Sequence, residues 1–108
     1  MLTGYRIMWM MVMFDLPVLT KAERRAASQF RLALLDLGFQ MSQLSFYMRL
    51  CTSHKQVETY CKRVEEALPQ AGKVNILQFT DKQYERIISF HGQRKEAPKK
   101  MPDQFDLF

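Results

Sequence analysis

The longest apolar run in the chain covers residues 7–14, reads IMWMMVMF, and stops at Asp15. The run has no polar interruption, so it predicts a strand that is buried on both faces. It is too short to be a membrane-spanning helix. Pro17 lacks the N–H that a sheet ladder needs, so the strand should end near Asp15. The run therefore predicts a central strand that brings one carboxylate to the edge of the core. From the residues alone, this carboxylate is either a metal ligand or the first residue of a loop.

Size and charge restrict the fold and its partners. The chain has 108 residues, which is enough for one domain with a modest core. Apolar residues make up 47% of it. The aromatic share of 12% and the 8 methionines indicate more hydrophobic surface than one small core can absorb, which predicts a dimer or a larger assembly. The net charge of +5 favours a phosphate-bearing partner, which is nucleic acid.

Cysteine use and the N-terminus predict the compartment. Cys51 and Cys61 are too few for a disulfide framework and lack the paired spacing of a zinc site, so both should be reduced and packed. The apolar run does not have the pattern of a secretory signal peptide. Arg6 is the only basic residue before it, and no small-residue cleavage site follows it. We therefore expect a cytoplasmic protein with no membrane partner.

A capping box of Thr20 and Glu23 opens the first predicted helix, which runs from Lys21 to Leu37 and ends at Gly38. Its apolar residues recur at helical spacing and define an inner face of Ala22, Ala26, Phe30, Ala33, Leu34 and Leu37. Its opposite side carries four cations, Lys21, Arg24, Arg25 and Arg31. This cationic strip is either a solvated helix face or a surface that binds phosphates regardless of base sequence.

Strand patterns flank a second amphipathic helix. Residues 39–50 predict two short antiparallel strands that turn near Leu44 and Ser45. The second helix follows residues 52–53 and ends at residues 69–72, where Pro69 and Gly72 stand.

The C-terminal half completes the predicted architecture. Residues 73–79 alternate as a fourth strand, residues 80–81 open a turn or a single helical turn, and residues 87–90 predict a fifth strand that ends at Gly92. The order predicts an α+β, ferredoxin-like β-α-β-β-α-β domain over residues 1–92, with an extra C-terminal strand and both helices on one face of an antiparallel sheet. Residues 93–108 are polar and contain proline, which predicts a flexible tail.

Several of these features together resemble the family of CRISPR-associated protein two. They are the apolar strand ending at Asp15, the basic helix closing on LDLGF at residues 35–39, the QLSFY turn at residues 43–47, and TDKQY at residues 80–84 before Gly92. The resemblance covers residues 5–92. One departure is Phe46, where the family commonly has valine.

The resemblance implies a function and assigns roles to residues. It implies a homodimeric subunit of the CRISPR spacer-acquisition complex that bridges integrase dimers and binds double-stranded DNA and single-stranded RNA. It also implies a metal-dependent endonuclease or endoribonuclease, with Asp15 as the catalytic residue and the ligand of Mg²⁺ or another divalent cation. This chemistry is physically reasonable, because a hard cation prefers carboxylate oxygen and water and polarises a phosphate.

Two other functions stay open at this point. One is a ferredoxin-like regulatory or ligand-binding dimer in which Asp15 is structural, and the other is a related endoribonuclease toxin. His54 and His91 have no partners at ligand spacing, so we assign them no role.

The last five residues, QFDLF, are similar to the short peptide by which bacterial replication proteins dock on the sliding clamp. Gln104 would be the polar anchor and Leu107 and Phe108 the buried ones. The alternative is that this segment adds a strand to the integrase or to its own dimer.

Overall fold

The structure, a computed structural model, describes residues 7–100. Its elements follow the predicted order, including a short helix where a turn or a single helical turn was expected, and they add a small hairpin near the C-terminal end. They are β1 (Met8–Asp15), α1 (Lys21–Asp36), β2 (Gln40–Gln43), β3 (Phe46–Cys51), α2 (His54–Glu66), β4 (Lys73–Thr80), α3 (Asp81–Glu85), β5 (Phe90–His91) and β6 (Arg94–Lys95). Within residues 7–100, no helix is long and apolar enough to cross a membrane.

The main sheet has the strand order β2-β3-β1-β4, so the apolar run forms a central strand as predicted. β1 pairs antiparallel with β3 on one side and with β4 on the other. Successive side chains of a strand point to opposite faces of the sheet, and the even-numbered residues of β1 join the hydrophobic core. That core also contains Phe30 and Leu34 of α1 and Val57 and Val64 of α2. Both helices therefore cover one face of the sheet, and the ferredoxin-like prediction is confirmed.

Helix α1 differs in detail from its prediction. Its last helical residue is Asp36, with Leu37 as the C-cap, and its buried residues are Ala27, Phe30 and Leu34. Ala22, expected on the inner face, is exposed because it lies in the first turn beside an open cleft lined by Pro17 and Pro69.

The C-terminal strand also differs from its prediction. β5 is shorter than expected and pairs with β6 in a separate two-stranded sheet, with Gly92 at φ 63° in the turn between them. β6 lies inside the segment that composition predicted to be a tail. The residues proposed for clamp docking, Gln104, Leu107 and Phe108, lie outside the described residues.

Candidate metal centre and nucleic-acid surface

Asp15 is the last residue of β1, and its side chain is exposed. Since side chains alternate along a strand, Asp15 shares a face with Trp9, Met11 and Met13. This is the face opposite the helices, which we call the open face. The strand therefore places the carboxylate at one end of the open face.

The sheet register supplies the neighbours of this carboxylate. Asp15 lies opposite Lys73, and Met13 lies opposite Phe46 on one side and Asn75 on the other. These side chains, with Phe14, line a shallow pocket at the end of the sheet. Sequence reasoning missed Lys73 and Asn75, because only the pairing of β4 with β1 brings them to Asp15.

Gly72 allows the loop between α2 and β4 to pass close to Asp15. Its φ is 102°, a conformation that side chains with a Cβ rarely adopt. A Cβ at this position would lie 2.9 Å from the carbonyl oxygen of Asp15 and 2.7 Å from Cδ2 of Leu16. The glycine thus brings Lys73, the first residue of β4, next to the end of β1.

The donor set at this pocket is sparse. One chain contributes the carboxylate of Asp15 and the amide oxygen of Asn75 as hard ligands. Among residues 7–100, no group of three or more histidine, cysteine, aspartate or glutamate residues is placed to hold a metal ion. Such a site fits Mg²⁺ held mainly by water and phosphate, which is how this ion usually binds, and does not fit a cation enclosed by protein ligands.

The predicted cationic strip separates into two kinds of residue. Lys21 and Arg25 are exposed, four residues apart on α1. Arg24 instead donates from Nη1 to the carbonyl oxygens of Val18 (3.1 Å) and Leu19 (3.0 Å), which holds the loop between β1 and α1 in place.

Arg31 differs from the other cations of the strip in its burial. Its side chain is half-buried, and its Nε is shielded from solvent without a hydrogen-bond partner in the described part of the chain. Lys21 and Arg25 are therefore the members of the strip with the most freedom to meet a phosphate.

The open face is largely apolar, and α1 and α2 pack on the opposite face of the sheet. Leu77 is 40% exposed, and Met11, Met13 and Phe46 are half-buried. Trp9 is buried because the ring of Tyr84 from α3 stacks on it, with the ring centroids 4.2 Å apart. An apolar sheet face of this kind indicates a surface that another protein layer covers.

Comparison with known proteins is decisive for the family. Residues 8–87 match the family described as CRISPR associated protein Cas2. The chain belongs to the Cas2 family. The matched region runs from the start of β1 past α3, so it includes Asp15 and the whole cationic strip.

Curated relatives agree with this membership. The chain is 70% identical over 108 residues to a protein of Paracidovorax avenae named CRISPR-associated endoribonuclease Cas2, with both chains covered completely. Proteins of the same name from Flavobacterium psychrophilum and Parvibaculum lavamentivorans are 43% and 40% identical, over 99% and 94% of this chain and 93% and 100% of their own lengths.

Proposed function

We propose that this Cas2-family protein is an endoribonuclease and a subunit of the CRISPR adaptation complex, in which a homodimer binds nucleic acid and bridges integrase dimers. The observation that carries the proposal is the position of Asp15, an exposed carboxylate at one end of an apolar open face. If two copies cover each other's open faces, each contributes one such carboxylate to their shared edge. Family membership favours this function over a ligand-binding dimer and over a toxin.

Exposed apolar surface supports the homodimer. The open face offers Leu77 and several half-buried side chains, and the segment after α3 adds Ile88 (66% exposed) and Phe90 (61% exposed). β4 stands at the edge of the main sheet. An edge strand with apolar surface beside it is a template for pairing with another chain. A second copy would supply both a covering sheet and a partner for this edge.

The proposed cation would be held by Asp15, with Asn75 beside it and water and phosphate as the remaining ligands. When bound, such a cation polarises the phosphate and lowers the pKa of a bound water. The chain's own residues orient the substrate. Lys73, directly across from Asp15, provides a positive charge for a phosphate oxygen, and Phe46 and Met13 form the apolar floor of the pocket.

Lys21 and Arg25 support the nucleic-acid part of the proposal. They lie in the first two turns of α1, which begins only a short loop after Asp15. Backbone binding needs cations that face solvent and reads no base sequence. We propose duplex DNA as the ligand during spacer insertion and single-stranded RNA as the hydrolysed substrate. We further propose that the protein acts in the cytoplasm.

The test compares Asp15→Asn with Asp36→Asn as a matched control. Both aspartates are exposed, but Asp36 ends α1 at the other end of the helix from the proposed site. Labelled single-stranded RNA is incubated with each purified protein over a titration of Mg²⁺. We expect Asp15→Asn to lose Mg²⁺-dependent cleavage and Asp36→Asn to retain it. Undiminished cleavage by Asp15→Asn would refute the assignment of the catalytic residue.

A second assay separates the scaffold role from hydrolysis. If the protein acts mainly as a bridge, Asp15→Asn should still support spacer insertion when it is mixed with the integrase. Loss of insertion with the complex intact would instead assign Asp15 a catalytic role in insertion.

We also propose that the C-terminal peptide docks on the sliding clamp through Gln104, Leu107 and Phe108. The support is the sequence pattern alone. The last ten or so residues are titrated as a peptide against the host clamp, beside a Leu107→Ala, Phe108→Ala peptide. Equal or absent binding of both peptides would favour a contact with the integrase or the dimer.

A further inference from the structure

An open cleft lies between the start of α1 and the loop that connects α2 to β4. Its volume is about 170 Å³, and its mostly apolar walls include Pro17, Ala22, Ala26 and Pro69. Ala22 is exposed and Ala26 is half-buried, so these two positions leave a recess instead of packing fully into the core. Sites for drug-sized ligands have volumes of about 300 to 1,000 Å³. The cleft therefore suits a smaller group, of the size of a single ring system.

Two polar side chains, Glu23 and Gln70, interrupt the apolar lining. Oε1 of Glu23 accepts from the N–H groups of Leu19 (3.0 Å) and Thr20 (2.9 Å), which fixes the carboxylate in the capping box of α1. Its second oxygen, Oε2, can accept from a ligand. Gln70 is exposed, and its amide offers both a donor and an acceptor. Apolar walls with a fixed carboxylate and an amide match a nucleobase, because the faces of a base are apolar and its edge carries hydrogen-bonding groups.

The cleft adjoins the proposed catalytic residue. Leu16, which lines the cleft, directly follows Asp15 and packs against the core beneath the helices, whereas Asp15 lies on the open face. Gly72 keeps the loop that carries Gln70 close to both residues, since a Cβ on Gly72 would contact Leu16 and the carbonyl oxygen of Asp15. The cleft and the pocket at Asp15 therefore lie on the two sides of one short stretch of backbone, at the same end of the sheet.

The two exposed cations of α1 stand next to the cleft. Lys21 directly precedes Ala22 and Arg25 directly precedes Ala26, so the cations and the alanines form neighbouring rows on the helix surface. A phosphate held by Lys21 and Arg25 would leave its base beside the cleft. Glu23 would repel a phosphate inside the cleft, which favours entry of the uncharged base. The charges therefore match a nucleotide with its phosphate outside the cleft and its base inside.

We infer that this cleft binds one unpaired base of the RNA substrate and prefers cytosine or adenine. These two bases carry an amino group beside a ring-nitrogen acceptor, so the amino group donates to Glu23 and the ring nitrogen accepts from Gln70. Uracil and guanine present a carbonyl oxygen in place of the amino group, and this oxygen would face the carboxylate of Glu23. The inference rests on the proposed function, in which single-stranded RNA is hydrolysed at Asp15.

Two other occupants fit the cleft less well. The bases of a duplex are paired and stacked, so they would enter only after extrusion from the helix. An apolar side chain of a partner protein would fit the walls but would cover Glu23 and Gln70 without giving them hydrogen bonds, which costs free energy. A base of a single strand satisfies both the walls and the polar groups.

The experiment measures binding of two short fluorescent RNAs of equal length, one all cytidine and one all uridine, by anisotropy at neutral pH. The protein is the purified full-length chain, and EDTA is present so that no cleavage dependent on divalent cations occurs. The two RNAs carry equal charge, so the ratio of their affinities reports on the bases and not on the phosphates.

Three variants probe the cleft. Glu23→Gln should keep the capping box, because Gln83 fills the same position in the capping box of α3, but it would present an amide donor to the base in place of an acceptor. Gln70→Ala removes the amide. Ala22→Leu fills the cleft from an exposed position at which leucine is a good helix former. Glu58→Gln is the matched control, because it removes an exposed carboxylate of α2 that does not line the cleft.

We expect the wild type to bind the cytidine RNA about fivefold or more tightly than the uridine RNA, which is the discrimination that one matched base contact provides. Glu23→Gln should abolish or reverse this preference, Gln70→Ala should lessen it, and Ala22→Leu should bind both RNAs equally. Glu58→Gln should keep the wild-type ratio. Melting temperatures should stay close to that of the wild type, because none of the substituted side chains is buried.

The outcomes separate this inference from the proposed function. A wild type that binds neither RNA would refute the RNA part of the proposed function itself. Wild-type binding of both RNAs without a preference would refute only the role of the cleft. A preference that Ala22→Leu retains, or that Glu58→Gln loses to the same extent as Glu23→Gln, would also overturn that role, because the bases would then be selected elsewhere.

Discussion

Substitution of Gly38 by alanine should destabilise the domain through one identifiable contact. Gly38 follows the C-cap of α1 and has a φ of 87°. Its N–H donates to the carbonyl oxygen of Leu35 (3.0 Å), and the N–H of Phe39 donates to the carbonyl oxygen of Leu34 (3.0 Å). This is the Schellman arrangement, which favours glycine at the residue after the cap. A Cβ on Gly38 would also overlap Nη1 of Arg49.

The Arg49 guanidinium is fixed by other contacts. Nη1 donates to the carbonyl of Leu37 (3.0 Å), Nη2 donates to the hydroxyl of Tyr60 (2.9 Å), and Cζ lies 3.9 Å from the centre of the Tyr60 ring. It therefore joins the end of α1, strand β3 and helix α2. Any movement that makes room for a Cβ on Gly38 weakens these interactions.

The loss of stability expected for Gly38→Ala has a backbone contribution and a hydrogen-bond contribution. An alanine in the left-handed region costs about 1 to 2 kcal/mol, partly offset by a gain of up to about 1 kcal/mol from the less flexible unfolded chain. Loss of one hydrogen bond to a charged group costs about 1.5 to 3 kcal/mol. We expect Gly38→Ala to lower the free energy of unfolding by about 2 to 4 kcal/mol, a large part of the stability of a small domain.

Urea unfolding at one fixed protein concentration measures this loss, with Gly92→Ala as the control. Gly92 has φ 63°, but a Cβ there would meet nothing within 4 Å, so its alanine variant carries only the backbone term. In an Arg49→Met background the additional cost of Gly38→Ala should fall to that backbone term. Equal destabilisation by Gly38→Ala and Gly92→Ala, or an unchanged cost in the Arg49→Met background, would refute this account.

Three further predictions concern the site and the thiols. Chelation of divalent cations should abolish RNA cleavage by the wild type and leave the residual activity of Asp15→Asn unchanged; a chelator-insensitive wild type would exclude the proposed cation. Arg25→Gln should reduce the slope of log affinity for duplex against log salt by about 1, whereas Arg24→Gln should chiefly lower the melting temperature, because its Nη1 already binds two carbonyls. Burial raises the pKa of both the Cys51 and the Cys61 thiols, so both should react slowly with iodoacetamide at neutral pH, and Cys61, the less buried, should react first by peptide mass mapping.

Local sequence signals predicted the elements better than their assembly. The apolar run ending at Asp15 and the capping box at Thr20 are written in consecutive residues, and the structure has the strand and the helix where they were expected. The register of β4 against β1 depends on contacts between distant segments, so the sequence did not reveal that Lys73 lies opposite Asp15. Arg24 was missed as a structural residue for a related reason. Its charge is visible in the sequence, but its bonds to the preceding loop depend on how that loop turns.

The sparse donor set at Asp15 connects the proposed assembly to the proposed chemistry. One chain offers one carboxylate, and a cation held by a single carboxylate and water binds weakly. In the proposed homodimer, pairing through the open face would double the carboxylates at the shared edge, so the dimer would bind the proposed cation more tightly than the monomer would. By thermodynamic linkage the cation would then stabilise the dimer to the same extent. A substitution on the open face, such as Leu77→Lys, would therefore remove cation binding and cleavage without touching Asp15.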